Sequence, residues 1–411
     1  MPRHITIIGM GLIGSSLARA LKTHPTTYEV TGADASLKTV EISKKLGLAS
    51  KITNDLVKAT AQADMVVLAT PLSAYASVME KIAPHLKTQA VITDVGSVKG
   101  AAIESILPFL SNEQRRYFVP AHPIAGTENS GPEAGKADLF KGKKVIITPL
   151  SFSEREAISE VMDMWEDAGS AIEVMETRKH DEIYALVSHM VQLLCSAAMM
   201  AITVLPKESY REIQQRADDN FRAFIRLAGS DPVMWRDIFS VNSAHIEAVV
   251  RRFSMYFISL VRMVEAGDNG GLKKRLESAR KKRDEFYSRL HHTPAANDLA
   301  ASDYGAAKAY GLSYLELLPT LIATAVMDSV PEEEYEHAAG AGFYGFTRSI
   351  VIPGATDVTR MLAHRKAVVV AAEGFLQQVD FLMLAVKKGQ LKMLEEALTR
   401  ARESYHIMLK K

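Results

Sequence analysis

The sequence predicts an α/β nucleotide-binding domain followed by an all-α region, and three observations carry that reading. Short β-rich runs alternate with amphipathic stretches over residues 1–176. A Gly-x-Gly-x-x-Gly motif, Gly9 to Gly14, joins the first such run to the first amphipathic stretch. From about Thr177 the β signal stops, and segments rich in Ala, Leu, Met, Glu and Arg follow with few breakers. Alternation of this kind implies a Rossmann-type, doubly wound sheet, largely parallel, with helices on its faces. The later segments favour helices by propensity and period.

In order, the strand candidates are Ile5–Ile8, Glu29–Thr31, Met65–Leu68, Ala90–Thr93, Tyr117–Val119, Lys144–Ile147 and Ile172–Val174. Helical patterns such as Leu17–Leu21 and Leu37–Leu46 lie between them. The helical half comprises Asp181–Leu205, Arg211–Ala228, Pro232–Gly267 and Leu272–Leu290. Leu290 to Asp298 reads as a linker. The expected domains are therefore 1–176, 177–290 and 299–411. The third reads as a degenerate duplicate of the second. Phe221-x-x-Phe224-x-Arg226 returns as Phe343-x-x-Phe346-x-Arg348, 122 residues on. The same offset aligns Asp181 with Asp303, Phe253 with Phe375, Leu260 with Leu382 and Gly267 with Gly389. It also aligns Leu272 with Leu394, Leu276 with Leu398 and Ala279-Arg280 with Ala401-Arg402. A constant register favours duplication over a coincidence of two Leu- and Ala-rich stretches.

Composition narrows the function. The chain has 411 residues, 47% apolar and 24% charged, so it can bury a core and is not a disordered polymer. A net charge of +1 argues against a nucleic-acid partner, which needs an excess of Lys and Arg. The basic stretches Lys273–Arg275 and Arg280–Arg283 are interrupted by Glu277, Asp284 and Glu285 and read as a solvated helix face. One cysteine, Cys195, can form neither an internal disulfide nor a zinc cluster, which fits the cytoplasm, and no metal site is expected. Met1 to Gly14 reads as a strand entering a glycine turn, with no targeting pattern. Val187 to Leu205 approaches spanning length but carries Ser188, His189, Gln192 and Ser196, so a buried core helix is expected and no membrane partner.

Four motifs carry chemistry. In Gly9-Met-Gly11-Leu12-Ile13-Gly14, Gly9 permits a tight turn, Gly11 lets backbone approach a pyrophosphate, and Gly14 lets the helix pack on the strand. Asp34, about 20 residues beyond, accepts from a ribose 2′-hydroxyl and repels a 2′-phosphate, favouring NAD over NADP. Leu12 and Ile13 within the motif, and Thr70 after the Met65–Leu68 run, complete the expected cofactor-binding set. Asp94-Val-Gly-Ser97-Val-Lys99 also follows a strand. Ser97 there either caps the next helix, which residue type alone favours, or bonds a substrate hydroxyl. His122 in Ala121-His-Pro-Ile-Ala-Gly126-Thr-Glu128-Asn-Ser-Gly131 can accept an alcohol proton while hydride leaves the carbinol carbon. Arg226, just before the helix start Ser230-Asp231-Pro232, can bind a carboxylate bidentately or sit in a surface salt bridge.

Together these segments resemble the prephenate dehydrogenase family, which includes arogenate and cyclohexadienyl dehydrogenases. The most specific elements are His122-Pro-Ile-Ala-Gly-Thr-Glu-Asn-Ser-Gly131 and Ser230-Asp-Pro-Val-Met-Trp-Arg-Asp237. Their order relative to the nucleotide motif, Asp94–Lys99 and Lys179-His-Asp181 also fits. The resemblance implies NAD-dependent oxidative decarboxylation of prephenate, or of arogenate, in tyrosine biosynthesis. It implies His122 as the proton acceptor and Ser97 as its orienting partner, in a crevice between the domains. Arg226 becomes the carboxylate anchor, with Glu128, His189, Gln192 and Trp235 in the substrate pocket. Gln192 stands where the family carries a second histidine, and Ala223 where it carries an acid. The family's helical half pairs with a second subunit, so either a homodimer or an intrachain pseudo-dimer is implied. On the 122-residue offset His189 would correspond to Gly311 and Trp235 to Asp357, leaving no second complete site. The rival readings are a β-hydroxy-acid dehydrogenase and a nucleotide-binding regulatory protein without turnover.

Overall fold

The computed structural model describes residues 2–127, 129–289, 313–331, 341–347 and 354–409. The Leu290–Asp298 linker, Glu128, Asp303, Gly311 and Arg348 lie outside the described residues, as does the side chain of Asp357. The chain divides into two compact units, Met1–Glu182 and Ile183–Lys411.

In the first unit, six parallel strands lie in the order β3-β2-β1-β4-β5-β6. They are β1 (Arg3–Ile8), β2 (Tyr28–Ala33), β3 (Lys51–Thr53), β4 (Met65–Leu68), β5 (Val91–Asp94) and β6 (Phe118–Val119). β1 and β4 are central and covered on both faces, so successive residues are buried whichever way they point: Ile5, Thr6, Ile7 and Ile8 in β1, and all of Met65–Leu68 in β4. β3 differs because it is a three-residue edge strand, partly exposed. The helices α1 (Leu12–Leu21), α2 (Leu37–Lys45), α3 (Leu56–Thr60), α4 (Tyr75–Ile82), α5 (Lys99–Ile106) and α6 (Asn112–Arg115) connect these strands. The strand order reverses between β1 and β4, the point where such folds bind ligands.

The strands after Val119 do not extend this sheet. Pro120 lacks the N–H a ladder needs, and the chain turns there into β7 (Ala121–Pro123). β7 pairs antiparallel with β8 (Lys144–Ile147), which runs parallel to β9 (Ala171–Val174) in a separate three-stranded sheet. α7 (Arg155–Asp167) buries Trp165 edge-on against Phe140 beside it. The first unit also runs past residue 176, because α8 (Thr177–Tyr184) hydrogen-bonds back into it through Asp181.

The second unit holds both helical segments, so residues 177–290 and 299–411 are not separate bodies. Its first series is α9 (Met190–Thr203), α10 (Lys207–Arg216), α11 (Asp219–Ile225), α12 (Pro232–Val241), α13 (Ser243–Ala266) and α14 (Asn269–Arg289). The second is α15 (Leu318–Ser329), α16 (Ala341–Thr347), α17 (Gly354–Ala363), α18 (Arg365–Lys387) and α19 (Leu391–Leu409). α11 and α16 have 7 residues each, and α12 and α17 have 10 each. Asn242 and His364, which open the long helices α13 and α18, share one backbone conformation (φ −108°, ψ 21° and φ −110°, ψ 19°). Gly267 and Gly389, just past the ends of those helices, both have positive φ, 73° and 62°. That left-handed stop suits glycine.

The offset is 122 residues from α11 onward (341 less 219) but 128 at the start (313 less 185). There, five-residue π-helical turns, Ala185–His189 and Ser313–Leu317, precede α9 and α15. The register is therefore not constant, and in element position His189 matches Leu317 rather than Gly311.

Packing between the two series is reciprocal. α13 lies on α15 and α18 on α9; α12 lies on α19 and α17 on α14. The equivalent long helices α13 and α18 also pack on each other, as do α11 and α16. At these contacts equivalent residues meet: Phe224 stacks on Phe346 at 4.7 Å, and Phe253 meets Phe375 edge-on at 6.3 Å. Thr177–Thr203 is 94% buried in its most apolar window, the core helix its length alone left ambiguous. α18 is also long and apolar enough to cross a membrane, yet packs on α9 and α13.

Candidate active site

The nucleotide loop has the stereochemistry its glycines require. Gly9 has φ +97°, and a Cβ there would sit 2.6 Å from the carbonyl carbon of Ala69 and 2.7 Å from the nitrogen of Thr70. The loops after β1 and β4 thus touch at the switch point. A Cβ on Gly14 would lie 2.0 Å from the Gly9 carbonyl oxygen, so α1 packs against the turn only without one. Gly11 has open space where a Cβ would be, and it begins α1 with no side-chain cap. The first N–H groups of the helix, around Leu12 and Ile13, therefore lack partners within the helix and suit an anion. The Thr70 hydroxyl is shielded from solvent with no hydrogen-bond partner among the described residues. Asp34 follows β2 and accepts from the N–H groups of Met10 and Ser36, each at 2.9 Å. These residues fit a dinucleotide: an open cradle, free helix N–H groups, an orphaned hydroxyl and an acid at the ribose position.

Beyond β5 lies a buried polar cluster. Asp94, fully buried, accepts from Lys99 Nζ at 2.5 Å, the Gly96 N–H at 2.8 Å and the Tyr75 hydroxyl at 3.2 Å. Lys99 Nζ also donates to the carbonyl of Ala121 at 2.6 Å, fixing the residue before His122. Burial lowers the Lys99 pKa, opposed by the charge and hydrogen bond of Asp94. Ser97 lies in the turn between β5 and α5, partly buried. It does not cap α5: the cap position is Val98, without a side-chain bond. Asp181 takes that role, accepting from the N–H groups of Lys99 at 2.7 Å and Gly100 at 2.8 Å.

His122 sits on β7, opposite Ile146. Its Nδ1 lies 2.9 Å from Nε2 of His180, with ring centroids 5.1 Å apart. Nδ1 of His180 lies 2.8 Å from Oδ1 of Asp181. Burial lowers the His180 pKa, and the hydrogen bond and charge of Asp181 only partly oppose it. Burial pushes the Asp181 carboxyl up, but the His180 hydrogen bond and charge and the two backbone N–H groups outweigh it and hold it below its usual value. The segment after His122 returns to the nucleotide helix: the Lys136 N–H donates to Ser16 Oγ at 3.0 Å.

In the second unit, His189 ends the π-helical turn and is buried. Its Nδ1 lies 3.0 Å from Asn242 Nδ2, and its ring meets Trp235 edge-on at 6.0 Å. An amide nitrogen only donates, so Nδ1 of His189 carries the lone pair. Gln192, one turn along α9, is buried, as is the Trp235 ring. The Gln192 carbonyl oxygen and the Trp235 indole N–H have no partner among the described residues. Buried polar groups are nearly always satisfied, so such atoms mark a place for a polar ligand. Arg226, in the short turn after α11, is half-buried and makes no ion pair among the described residues, so the surface salt bridge does not occur there. Burial pushes the Cys195 thiol up to about 12, and its S–H points to the Phe224 carbonyl at 3.3 Å, which marks it as structural.

In the sequence, His180 and Asp181 figure only as part of the Lys179-His-Asp181 segment that opens the helical half. No local signal assigns them to His122, which is 58 residues away. Asn242 was missed for the same reason; its partner lies 53 residues away.

Residues 17–174 match the family described as prephenate dehydrogenase, nucleotide-binding domain, and 176–278 the prephenate dehydrogenase dimerization domain. A cyclohexadienyl dehydrogenase of Zymomonas mobilis is 34% identical over 281 residues, 68% of this chain and 95% of that protein. The chain belongs to the prephenate dehydrogenase family. Among solved structures, prephenate dehydrogenase from Aquifex aeolicus, in complex with hydroxyphenyl propionate and NAD+, shares 29% identity with a TM-score of 0.64. It covers 69% of this chain and 98% of its own. Synechocystis arogenate dehydrogenase shares 25% identity, TM-score 0.59, over 69% and 99% of the two chains. The family match ends at residue 278, so the second helical series lies outside the two matched domains.

Proposed function

We propose that this member of the prephenate dehydrogenase family oxidatively decarboxylates prephenate to 4-hydroxyphenylpyruvate, with His122 as proton acceptor and Arg226 as carboxylate anchor. The observation that carries the reading is the ring of His122, held by Nδ1 within the same unit as the dinucleotide loop. Gly9, Gly11, Leu12, Ile13, Gly14, Asp34 and Thr70 would hold NAD, which supplies the hydride acceptor when bound. His122 takes the ring-hydroxyl proton as the carbinol carbon is oxidised. Loss of the ring carboxylate as CO₂ leaves an aromatic ring, and His122 returns the proton to the phenol oxygen. Ser97 bonds the same hydroxyl. Arg226, with no competing carboxylate among the described residues, is available to a substrate carboxylate. His189, Gln192 and Trp235 complete the substrate contacts, with Glu128 as a further pocket acid. Arogenate is the alternative substrate, differing by an ammonium in place of the keto group. A cytoplasmic location follows from the biosynthetic role.

NADH formation is to be measured with prephenate and with arogenate. Turnover of the first supports the assignment; turnover of arogenate alone moves it to the second. NAD binding without either reaction would make the chain a regulatory protein. His122→Asn is expected to cost on the order of 10²–10⁴ in rate.

We also infer that the second unit is an intrachain pseudo-dimer, its second series standing in for a partner subunit. Reciprocal packing and the meeting of equivalent residues, Phe224 with Phe346 and Phe253 with Phe375, support it, because a two-fold interface brings equivalent residues together at its axis.

A further inference from the structure

His180 is not among the residues that the reading above uses, yet it is buried and stands directly behind the proposed base. The hydrogen-bond chain gives it a defined task. The Asp181 carboxylate accepts from the Lys99 and Gly100 N–H groups and from one ring nitrogen of His180. An ionised carboxylate can only accept, so Nδ1 of His180 carries a hydrogen. A neutral imidazole with hydrogen on Nδ1 has its lone pair on Nε2. That lone pair faces Nδ1 of His122 at 2.9 Å, so the hydrogen between the rings belongs to His122 Nδ1. The lone pair of His122 is thereby fixed on Nε2, the nitrogen a general base uses in this arrangement.

We propose that His180, anchored by Asp181, is the positioning residue that sets the ring orientation and tautomer of His122. The proposal rests on the reaction assigned above. When Nε2 takes the hydroxyl proton, His122 becomes an imidazolium whose Nδ1–H still donates to His180 Nε2. No further proton moves, and the same proton returns to the product oxygen. The charge so formed is met by the His180 dipole, with Asp181 behind it. Lys99 and Asp94, the other charged groups around this chain, are paired with each other. The depressed basicity of His180 is consistent with its staying a neutral acceptor throughout.

The test uses the full chain, with His180→Leu, which removes the acceptor, and His180→Gln, whose amide oxygen can replace it. His180→Leu is expected to lower kcat on the order of 10²-fold with KM for NAD unchanged. It should also move the acid limb of kcat/KM to lower pH by about half a unit, because the imidazolium loses its acceptor. His180→Gln should recover kcat to within about tenfold of wild type. A purely structural His180 would lower the amount of active enzyme and leave the acid limb in place, which overturns the proposal. So does a His180→Leu variant within twofold of wild type. Nitrogen NMR of ring-labelled wild-type protein does not depend on how the variants fold. Hydrogen on Nδ1 of His122 is expected, and hydrogen on Nε2 overturns the assignment. Failure of the reaction itself is separate: wild type would then turn over neither prephenate nor arogenate.

Discussion

At the scale of single residues, the first unit concentrates its buried ionisable groups around one strand, β7. Asp94 and Lys99 pair with full burial, and Asp181 and His180 form the second pair behind His122. Removing Asp181 would leave the His180 Nδ1–H and the Lys99 and Gly100 N–H groups without their acceptor in a buried site, so Asp181→Ala should destabilise the unit by about 1–3 kcal/mol, measured by denaturant unfolding. The same groups set an acid dependence. The His180 pKa is depressed from 6.5, so the unfolded chain binds the proton first as pH falls, and stability is lost below about 6.5. The Asp181 carboxyl is held below 3.8, so its contribution is present above that value and lost as pH falls through the folded value. The thermal midpoint should therefore decline in acid in two stages, and His180→Gln should flatten the upper one. Arg226→Lys should raise KM for substrate by about tenfold or more while leaving NAD affinity alone, because a lysine cannot bind a carboxylate as a fork. Gly14→Ala should abolish NAD binding, since its Cβ would overlap the Gly9 carbonyl.

At the scale of elements, helix ends explain why the site is where it is. α5 begins without a cap of its own, and the carboxylate that supplies one comes from α8. That bond ties the strand-end turn carrying Ser97 to the helix carrying His180. In the second unit the repeated elements share caps and stops, but their polar residues diverge. Where the first series has Ser188 and His189 in its π-helical turn, the second has Glu316 and Leu317, and Glu316 is paired with Arg360 at 2.8 Å. An ion pair with a buried carboxylate thus occupies the element position that Ser188 holds in the first series. Phe224→Ala or Phe346→Ala should each cost about 3–5 kcal/mol. In a double-mutant cycle the pair should couple by about 0.5–1.5 kcal/mol, as stacked rings do.

At the scale of the whole molecule, the chain carries one nucleotide-binding unit and two helical series. The pseudo-dimer reading expects one NAD per chain by calorimetry and a 45.1 kDa monomer by sedimentation. A stable dimer built on the α13 helix, with α18 displaced, would remove that reading. Phe346→Asp should expose the apolar face of α11 and drive aggregation or pairing between chains.

Much of this was legible in the residues. The short β-rich runs, the glycine spacing and the acid after β2 point to the nucleotide fold because each answers a local backbone demand. The recurrence of Phe221 and Phe224 at Phe343 and Phe346 pointed to corresponding elements in the two helical series, where Phe224 stacks on Phe346, because a shared core face needs apolar residues at the same positions. Short edge strands, the departure of β7 into a second sheet and the six-residue change of register gave no local sign. Nor did the joining of His122 to His180 and Asp181, because a hydrogen bond between residues far apart in sequence exists only once the chain has closed. Local sequence determined which elements form and which side chains they carry; tertiary closure alone decided which nitrogen of His122 holds the lone pair.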